Sequence, residues 1–288
     1  MWSSGFIGAA LGTRFAPADT LLAWRYLAAA AALLIWGRVR RMRRPDRASL
    51  LQHGALGILC QGVFLGGVVT GVGLWVPPGA AALIASLQPL VVSALASRAL
   101  GQPATGRQRL ELVMGLVGVT LVVANDMGGD TSPVCYLLPF VGMLGLSAGT
   151  VLERRWRPTG SALDSLTVQT LTATVVFVLA AAMTGHLSPP TVPGFWAAVA
   201  WVVLLSTFGG YGLYLTVLRH QGATRVSTLL YLTPPSTTVW AFVMFGTAPT
   251  ALAVVGFAVA GAAVWLVLAD PVTVCRASTP ADAPAARC

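Results

Sequence analysis

Ten apolar runs follow one another along this sequence, and short polar connections separate them. A helix needs about 20 apolar residues to cross roughly 30 Å of hydrocarbon, because each residue adds about 1.5 Å. The first run, at residues 2–13, is shorter than this. The other nine cover residues 18–37, 49–74, 78–98, 108–125, 133–153, 162–184, 193–218, 224–245 and 250–269. The pattern predicts an all-α membrane protein with ten transmembrane helices, the first of them truncated.

The few charges of the chain indicate a membrane rather than a nucleic acid as its surroundings. Only 9% of the residues are charged, whereas soluble domains average about 25%. All 18 basic residues are arginines, and short arginine clusters lie between apolar runs, as at residues 38–47 and 153–157. Because clusters of this kind flank membrane helices, we expect the lipid bilayer as a partner and no nucleic acid.

The arginines also predict an orientation. Sixteen of the 18 lie in the connections after the second, fourth, sixth and eighth runs or in the tail, all on one side of the membrane, while Arg14 lies on the other. Positively charged connections stay on the cytoplasmic side. We therefore expect a multi-pass protein of the bacterial inner membrane with both termini in the cytoplasm. Residues 270–288, rich in Ala and Pro, are predicted to form a disordered cytoplasmic tail.

The sequence repeats itself weakly at an offset of 145 residues. The offset pairs Asp19 with Asp164, Thr20 with Ser165, Gly67 with Gly212, Pro89 with Pro234, Gly101 with Gly246 and Leu121 with Leu266. Five helices per half is an odd number, so the second half must be inverted in the membrane relative to the first. We expect a first repeat at residues 1–128 and a second at residues 133–269.

The same offset accounts for the short first run. Trp2 corresponds to Ser147, which lies about fourteen residues inside the sixth run. Roughly a dozen residues would then be missing before Met1, since twelve residues span only about 18 Å of helix. The favoured explanation is a start site placed too late, and the alternative is a genuine half-helix.

The chain resembles the EamA family of the drug/metabolite transporter superfamily. The resemblance rests on the opening residues 2–6 (WSSGF), on Arg25 and Tyr26, on residues 79–101 (GAAALIASLQPLVVSALASRALG) and on residues 115–123 (GLVGVTLVV). It implies ten helices in two inverted halves and export of amino acids or related metabolites. Neighbouring branches carry nucleotide sugars or small cationic drugs. The resemblance also implies that Ser3 and Ser4 contact the substrate.

Polar residues that recur on one helix face are candidates for a central substrate cavity. Tyr231 and Thr238 share a face of the ninth run, and their counterparts at the offset, Ser86 and Ser93, lie in the fourth. Pro89, Pro234 and Pro235 interrupt these stripes, and we expect them to act as hinges because a proline removes a backbone hydrogen bond. The alternative is that small polar residues only allow close helix packing.

Further candidates lie in the second, third, fourth and eighth runs. Tyr211 and Tyr214 share a helix face and could bind a solute by stacking and hydrogen bonding; the alternative is that they face lipid. Gln61 and Gln88 need partners in an apolar run, either a neighbouring helix or the substrate. Arg25 is a candidate contact for an anion, unless it pairs with Asp19 or reaches the outer headgroups.

The absences disfavour other mechanisms. No carboxylate precedes Asp19, whereas the small drug carriers that exchange protons for cations use a glutamate in their first helix. The cysteines and histidines show no metal-ligand spacing, so we expect no metal, no cofactor and no enzymatic activity.

These features together predict a metabolite exporter. It would work by alternating access around a cavity between helices one, three, four, six, eight and nine, as a monomer or weak dimer. A channel-like facilitator or a drug efflux carrier is the alternative, and an intramembrane enzyme a remote one.

Overall fold

The fold is taken from a computed structural model, which describes residues 3–39, 46–99, 106–126, 132–159, 161–210, 233–246 and 250–268. Within these ranges the secondary structure is helical, and no strand occurs. The all-α prediction is therefore confirmed.

The helices are numbered so that each label corresponds to one apolar run of the sequence. The fourth helix is divided by a turn at Leu87, and a short 3₁₀ turn, Pro133–Tyr136, precedes the sixth. The helices are α1 (Ser4–Gly12), α2 (Ala18–Val39), α3 (Arg47–Gly73), α4 (Pro78–Ser86 and Gln88–Ala99), α5 (Gly106–Asp126), α6 (Leu137–Trp156), α7 (Ala162–Met183), α8 (Pro193–Gly209), α9 (Thr233–Phe245) and α10 (Ala251–Leu268).

Four helical spans are long and apolar enough to cross a membrane: Ala18–Val39, Arg47–Gly73, Pro133–Glu153 and Leu163–Met183. Shorter apolar stretches occur in α4, α5, α8 and α10. Many large apolar side chains are exposed on the outer faces of the bundle, for example Trp36, Leu51 and Val243. Such surfaces are unfavourable in water and ordinary in hydrocarbon. The chain is a multi-pass membrane protein.

Local sequence signals fix several helix ends. The Asp46 side chain accepts a hydrogen bond from the Ser49 amide at the start of α3. At the start of α7, Ser161 and Asp164 form a reciprocal capping box. Both arrangements satisfy amide groups that the first helical turn leaves unpaired. At the C-terminal end of α6, Arg157 takes a left-handed conformation (φ 46°) that ends the helix.

Glycines bring α3 and α6 into close contact. A Cβ atom added to Gly67 would lie only 2.3 Å from the carbonyl oxygen of Leu138, and one added to Gly142 would lie 2.8 Å from that of Phe64. Gly118 of α5 and Gly256 of α10 face each other in the same way. Small residues at such crossings let two backbones approach, which is a main source of stability between helices in lipid.

Helices α2 and α7 pack side by side and run antiparallel. Asp19, near the start of α2, bonds to Thr184, just after the end of α7. Farther along α2, the Tyr26 carbonyl accepts a hydrogen bond from Thr174, and the Tyr26 ring lies 5.1 Å from that of Phe177. The residue numbers of the contacts rise on one helix as they fall on the other.

Two helices contain π-helical turns, Ile58–Val63 in α3 and Val202–Gly209 in α8. A π turn carries one extra residue, so it shifts the faces of the helix on either side and is often found at functional sites. The sequence analysis did not predict these turns.

Candidate functional site

A cavity of about 120 Å³ lies in the middle of the bundle. Its wall comes from α1, α2, α3, α6, α7 and α8. The lining residues are Gly5, Phe6, Arg25, Tyr26, Cys60, Gln61, Phe64, Leu65, Val68, Val69, Leu146, Leu166, Thr170, Ser206 and Thr207. Most of this wall is apolar, and the polar groups converge from four helices.

Arg25 brings a positive charge to this cavity. The residue is only 7% exposed, so its side chain is enclosed by the bundle and does not reach outward to the headgroups. Its guanidinium carbon lies 5.3 Å from the centre of the Tyr26 ring, where the negative face of the aromatic ring attracts a cation. No Asp or Glu of the described ranges forms an ion pair with Arg25. Asp19 instead pairs with His186.

Gln61 enters the cavity from α3 and contacts two side chains of α7. Its amide nitrogen lies 3.5 Å from the Gln169 side-chain oxygen, and its own oxygen lies 3.5 Å from the Thr170 hydroxyl. Gln61 is 8% exposed, so these contacts supply the partners that a buried amide requires. Gln61 therefore contacts a neighbouring helix, which is one of the two roles that its sequence context suggests, and it also lines the cavity.

The polar contacts continue from Gln61 toward the start of α3. Gln169 donates a hydrogen bond of 3.0 Å to the Ser165 hydroxyl, which lies 3.1 Å from Nδ1 of His53. The other ring nitrogen of His53 lies 3.2 Å from the Thr159 carbonyl oxygen. Ser165 and Gln169 are four residues apart on α7, and this helical spacing is the one signal in the sequence for this chain of hydrogen bonds. Sequence reasoning missed the chain because Gln61 and His53 lie on α3, more than 100 positions away from Gln169 and Ser165.

Both π turns face the cavity. The turn in α3 contributes Cys60 and Gln61, and the turn in α8 contributes Ser206 and Thr207. Gly5 of α1 lies against Ser206, because a Cβ atom added to Gly5 would come within 2.8 Å of the serine hydroxyl. Ser206 and Thr207 belong to the same polar part of the eighth run as Tyr211 and Tyr214.

Ser3 and Ser4 are buried at the start of α1 but do not line this cavity. The Ser3 hydroxyl donates to the Thr233 carbonyl at 3.3 Å, and the Ser4 carbonyl accepts from the Trp201 indole at 3.1 Å. These bonds tie α1 to α8 and α9.

Ser86 and Gln88 of α4 and Thr238 of α9 also lie outside the cavity wall. Ser86 donates to the Leu83 carbonyl at 2.6 Å, and Gln88 donates to the Thr150 hydroxyl at 2.9 Å. Thr238 donates to the Pro234 carbonyl at 3.0 Å. Local or neighbouring groups thus satisfy their hydrogen bonds. Among the described residues, α2 and α7 line the cavity, whereas the sequence predicted α4 and α9 at the wall.

The structure describes the positions of the three prolines that were proposed as hinges. Pro89 follows the turn at Leu87 that divides α4, so a proline does accompany a break in this helix. Pro234 and Pro235 lie in the first described turn of α9. Tyr211, Tyr214 and Tyr231 fall outside the described residues, and their roles remain predictions.

The cavity therefore contains a mixture of groups suited to a small organic solute. The sequence singled out Arg25 and Gln61 individually, and the structure brings them to one cavity with Thr170 and Tyr26. Within the described part of the chain, no three His, Cys, Asp or Glu side chains lie together as a metal site requires.

Comparison with known proteins shows which family the chain belongs to. The sequence profile of the EamA-like transporter family matches residues 1–124 and 133–269. A solved crystal structure shares the fold, with a TM-score of 0.60 over 96% of this chain and 95% of that one, at 22% identity.

Similar proteins carry transporter names. The chain is 28% identical to the uncharacterized transporter YyaM of Bacillus subtilis, over 79% of this chain and 77% of that protein. It is 25% identical to the uncharacterized inner membrane transporter YedA of Escherichia coli K12, over 81% and 76% of the two chains. Protein PecM of Dickeya dadantii is 30% identical over 54% of this chain and 51% of its own. The chain belongs to the EamA-like transporter family of the drug/metabolite transporter superfamily, and it is a membrane transporter.

Proposed function

We propose that this transporter exports small metabolites, with amino acids and related compounds as the first candidates, by alternating access. The observation that carries the proposal is the central cavity, in which Arg25, Gln61 and Thr170 from three helices meet a largely apolar wall. Most ligand sites combine apolar walls with a few convergent polar groups. The names of the relatives support a transporter and not an enzyme.

Alternating access in this proposal is based on two inverted repeats of five helices. Several features support the repeats, at residues 1–128 and 133–269, with 270–288 as a cytoplasmic tail. The family profile matches two segments with almost these bounds. Adding 145 to the bounds of α2 gives 163–184, against Ala162–Met183 for α7. Counterparts that run antiparallel, as α2 and α7 do, are what inversion requires.

The helix contacts follow the same rule. Counterpart helices pack on each other in the pairs α2 with α7, α4 with α9 and α5 with α10. The contact of α3 with α6 has its counterpart in the contact of α8 with α1. These contacts agree with the exchange of two halves that a two-fold axis in the membrane plane would produce.

The π turns suggest where the halves deform. Adding 145 to Ile58–Val63 gives 203–208, which lies inside Val202–Gly209. Both turns line the cavity, and Gln61 and Ser206 occupy equivalent positions. Single π turns within α-helices are frequent at functional sites. We assign the bending of α3 and α8 to these turns, in addition to hinges at Pro89, Pro234 and Pro235.

The proposed topology places both termini in the cytoplasm, with sixteen arginines on that side, and the protomer works as a monomer or weak dimer. Fusions after residue 269 test it. Green fluorescent protein should be fluorescent there and alkaline phosphatase inactive. An active phosphatase and a non-fluorescent green fluorescent protein would place this end outside the cytoplasm. That result would reverse the proposed topology and the proposed direction of transport.

A secretion screen tests the function. Cells that overproduce the chain should release particular metabolites faster, or resist their toxic analogues, compared with cells that carry an empty vector. Unchanged release for every metabolite would contradict export.

Purified transporter in vesicles then separates the alternatives. An antiporter should accumulate the released metabolite against its gradient when a pH gradient is applied. A channel-like facilitator should give only downhill flux that is independent of the pH gradient, and a drug efflux carrier should prefer cationic dyes.

A further inference from the structure

The cavity contains a buried positive charge that no carboxylate of the described residues neutralises. Arg25 is 93% buried and lines the cavity. Among the described residues it has an aromatic neighbour, Tyr26, and no acidic partner. A guanidinium removed from water without a counter-charge is unfavourable, so a site of this kind favours an anion that enters it.

Among the described residues, no acidic side chain forms an ion pair with Arg25. The chain has only nine carboxylates, at positions 19, 46, 111, 126, 130, 153, 164, 270 and 282. None of them falls in the undescribed segment 211–232. Asp19 is held by Thr184 and His186, and Asp164 is held by the backbone and side chain of Ser161.

The rest of the cavity wall lacks groups for a second charge. Phe6, Phe64, Val68 and Leu146 present hydrocarbon. The uncharged polar groups are few, and Gln61 already contacts Gln169 and Thr170. An ammonium group on the solute would meet no carboxylate in the described cavity wall, because Glu153, which acts electrostatically on Cys60, does not itself line the cavity. Leaving water there is costly for the ammonium group. An apolar body would instead gain from leaving water.

We infer that the solute is a monocarboxylate with an apolar body, bound with its carboxylate against Arg25. This inference rests on the proposed function and, among its candidates, favours related carboxylates over the amino acids themselves. A fork of guanidinium nitrogens matches the two oxygens of a carboxylate. Cationic drugs are disfavoured by the positive charge, and zwitterionic amino acids by the missing partner for their ammonium group.

A series of ligands with one body and four headgroups tests the inference without any mutation. Phenylacetate, phenylacetamide, phenylalanine and phenethylammonium share a phenyl ring and differ in charge. The unfolding temperature of the full chain in detergent should rise with phenylacetate and stay unchanged with the amide and the cation. Phenylalanine should have a smaller effect than phenylacetate at equal concentration.

Variants then assign the effect to Arg25. Arg25→Gln should weaken phenylacetate binding by about tenfold to a hundredfold, as expected for loss of a charge-assisted hydrogen bond. Arg25→Lys should retain part of the binding because the charge remains. Arg14→Gln is the matched control, since Arg14 is exposed, lies against Phe245 and does not line the cavity. If Arg25→Gln does not fold, the headgroup series on the unmodified chain decides.

Three results would overturn the inference. These are equal or greater stabilisation by phenethylammonium or phenylalanine, no stabilisation by phenylacetate, and phenylacetate binding that Arg25→Gln leaves unchanged. Each is independent of the proposed function, because the secretion screen would still show export of another class of solute. Failure of that screen alone would contradict the proposed function and leave the binding result standing.

Discussion

Asp19 Oδ2 and His186 Nδ1 lie 3.0 Å apart and join the start of α2 to the segment after α7. The Thr184 hydroxyl also donates to Asp19. In the same region, the Thr20 hydroxyl donates to the His186 carbonyl at 2.7 Å, and the Trp24 indole donates to the Leu187 carbonyl at 2.9 Å. This network fastens α2 to its counterpart in the second half, at the end of α2 opposite the arginine cluster of residues 38–47.

The Asp19 network should give a small but measurable coupling. The His186 side chain is 50% exposed and the Asp19 side chain is 20% exposed. Solvent screening therefore limits their interaction to at most about 1 kcal/mol. Asp19→Asn and His186→Ala should each lower the unfolding temperature slightly. A double-mutant cycle measures the coupling. If the two effects simply add, the ion pair contributes nothing to stability.

Gly67→Ala should destabilise the contact of α3 with α6. The new methyl group would lie 2.3 Å from the Leu138 carbonyl oxygen, and neither backbone can yield without moving the helices apart. We expect a loss of about 1–3 kcal/mol, typical of an overpacked contact. The unfolding temperature and monodispersity in detergent measure it.

Gly54→Ala is the control for that substitution on the same helix. Its nearest contact would be the Thr172 hydroxyl at 3.7 Å, an ordinary separation. Equal effects of the two alanines would show that the close approach at Gly67 does not limit stability.

Gln61→Leu and Gln169→Leu should separate substrate contact from helix packing. Both variants remove the same contact between α3 and α7, but only Gln61 lines the cavity. Both should lower stability by a similar amount, about 1–2 kcal/mol for a buried amide that loses its partner. Only Gln61→Leu should raise the KM for transport as well. A matching rise in KM for Gln169→Leu would assign Gln61 to packing alone.

Tyr211→Ala and Tyr231→Ala should impair export if these residues line the transport path, as their helical spacing predicts. Release of the metabolite found in the secretion screen should fall severalfold, since each change removes an aromatic surface and a hydroxyl. Membrane abundance should stay constant, which immunoblotting of membrane fractions checks. Unchanged export in both variants would place these tyrosines outside the path.

The positions of the helices could be predicted closely from the sequence. The second run was expected at 18–37 and the seventh at 162–184, against Ala18–Val39 and Ala162–Met183 in the structure. These bounds follow from local properties, namely apolar length and capping residues such as Ser161. The offset of 145 residues was likewise visible because repeats keep their spacing in the chain.

The cavity wall could not be predicted in the same way. Ser86, Gln88 and Thr238 form plausible polar stripes, yet neighbouring groups take their hydrogen bonds. Thr170 was not among the predicted site residues, yet it shares a cavity with Arg25. Which faces meet depends on how helices approach one another, and glycine contacts such as Gly67 with Leu138 decide that approach. The π turns add a further rotation that no local pattern revealed.

Sequence alone determined that the chain is an apolar, multi-helical membrane protein whose few charges lie mostly between its helices. It also determined that the chain has nine carboxylates, all near run ends, in the connections between runs or in the tail, because composition is independent of folding. Only the tertiary structure decided that Arg25 turns into the bundle rather than toward lipid or Asp19. The physical reason is that burial depends on the packing of α2 against α7 and α3, which encloses the guanidinium in the cavity that Gln61 and Thr170 also line.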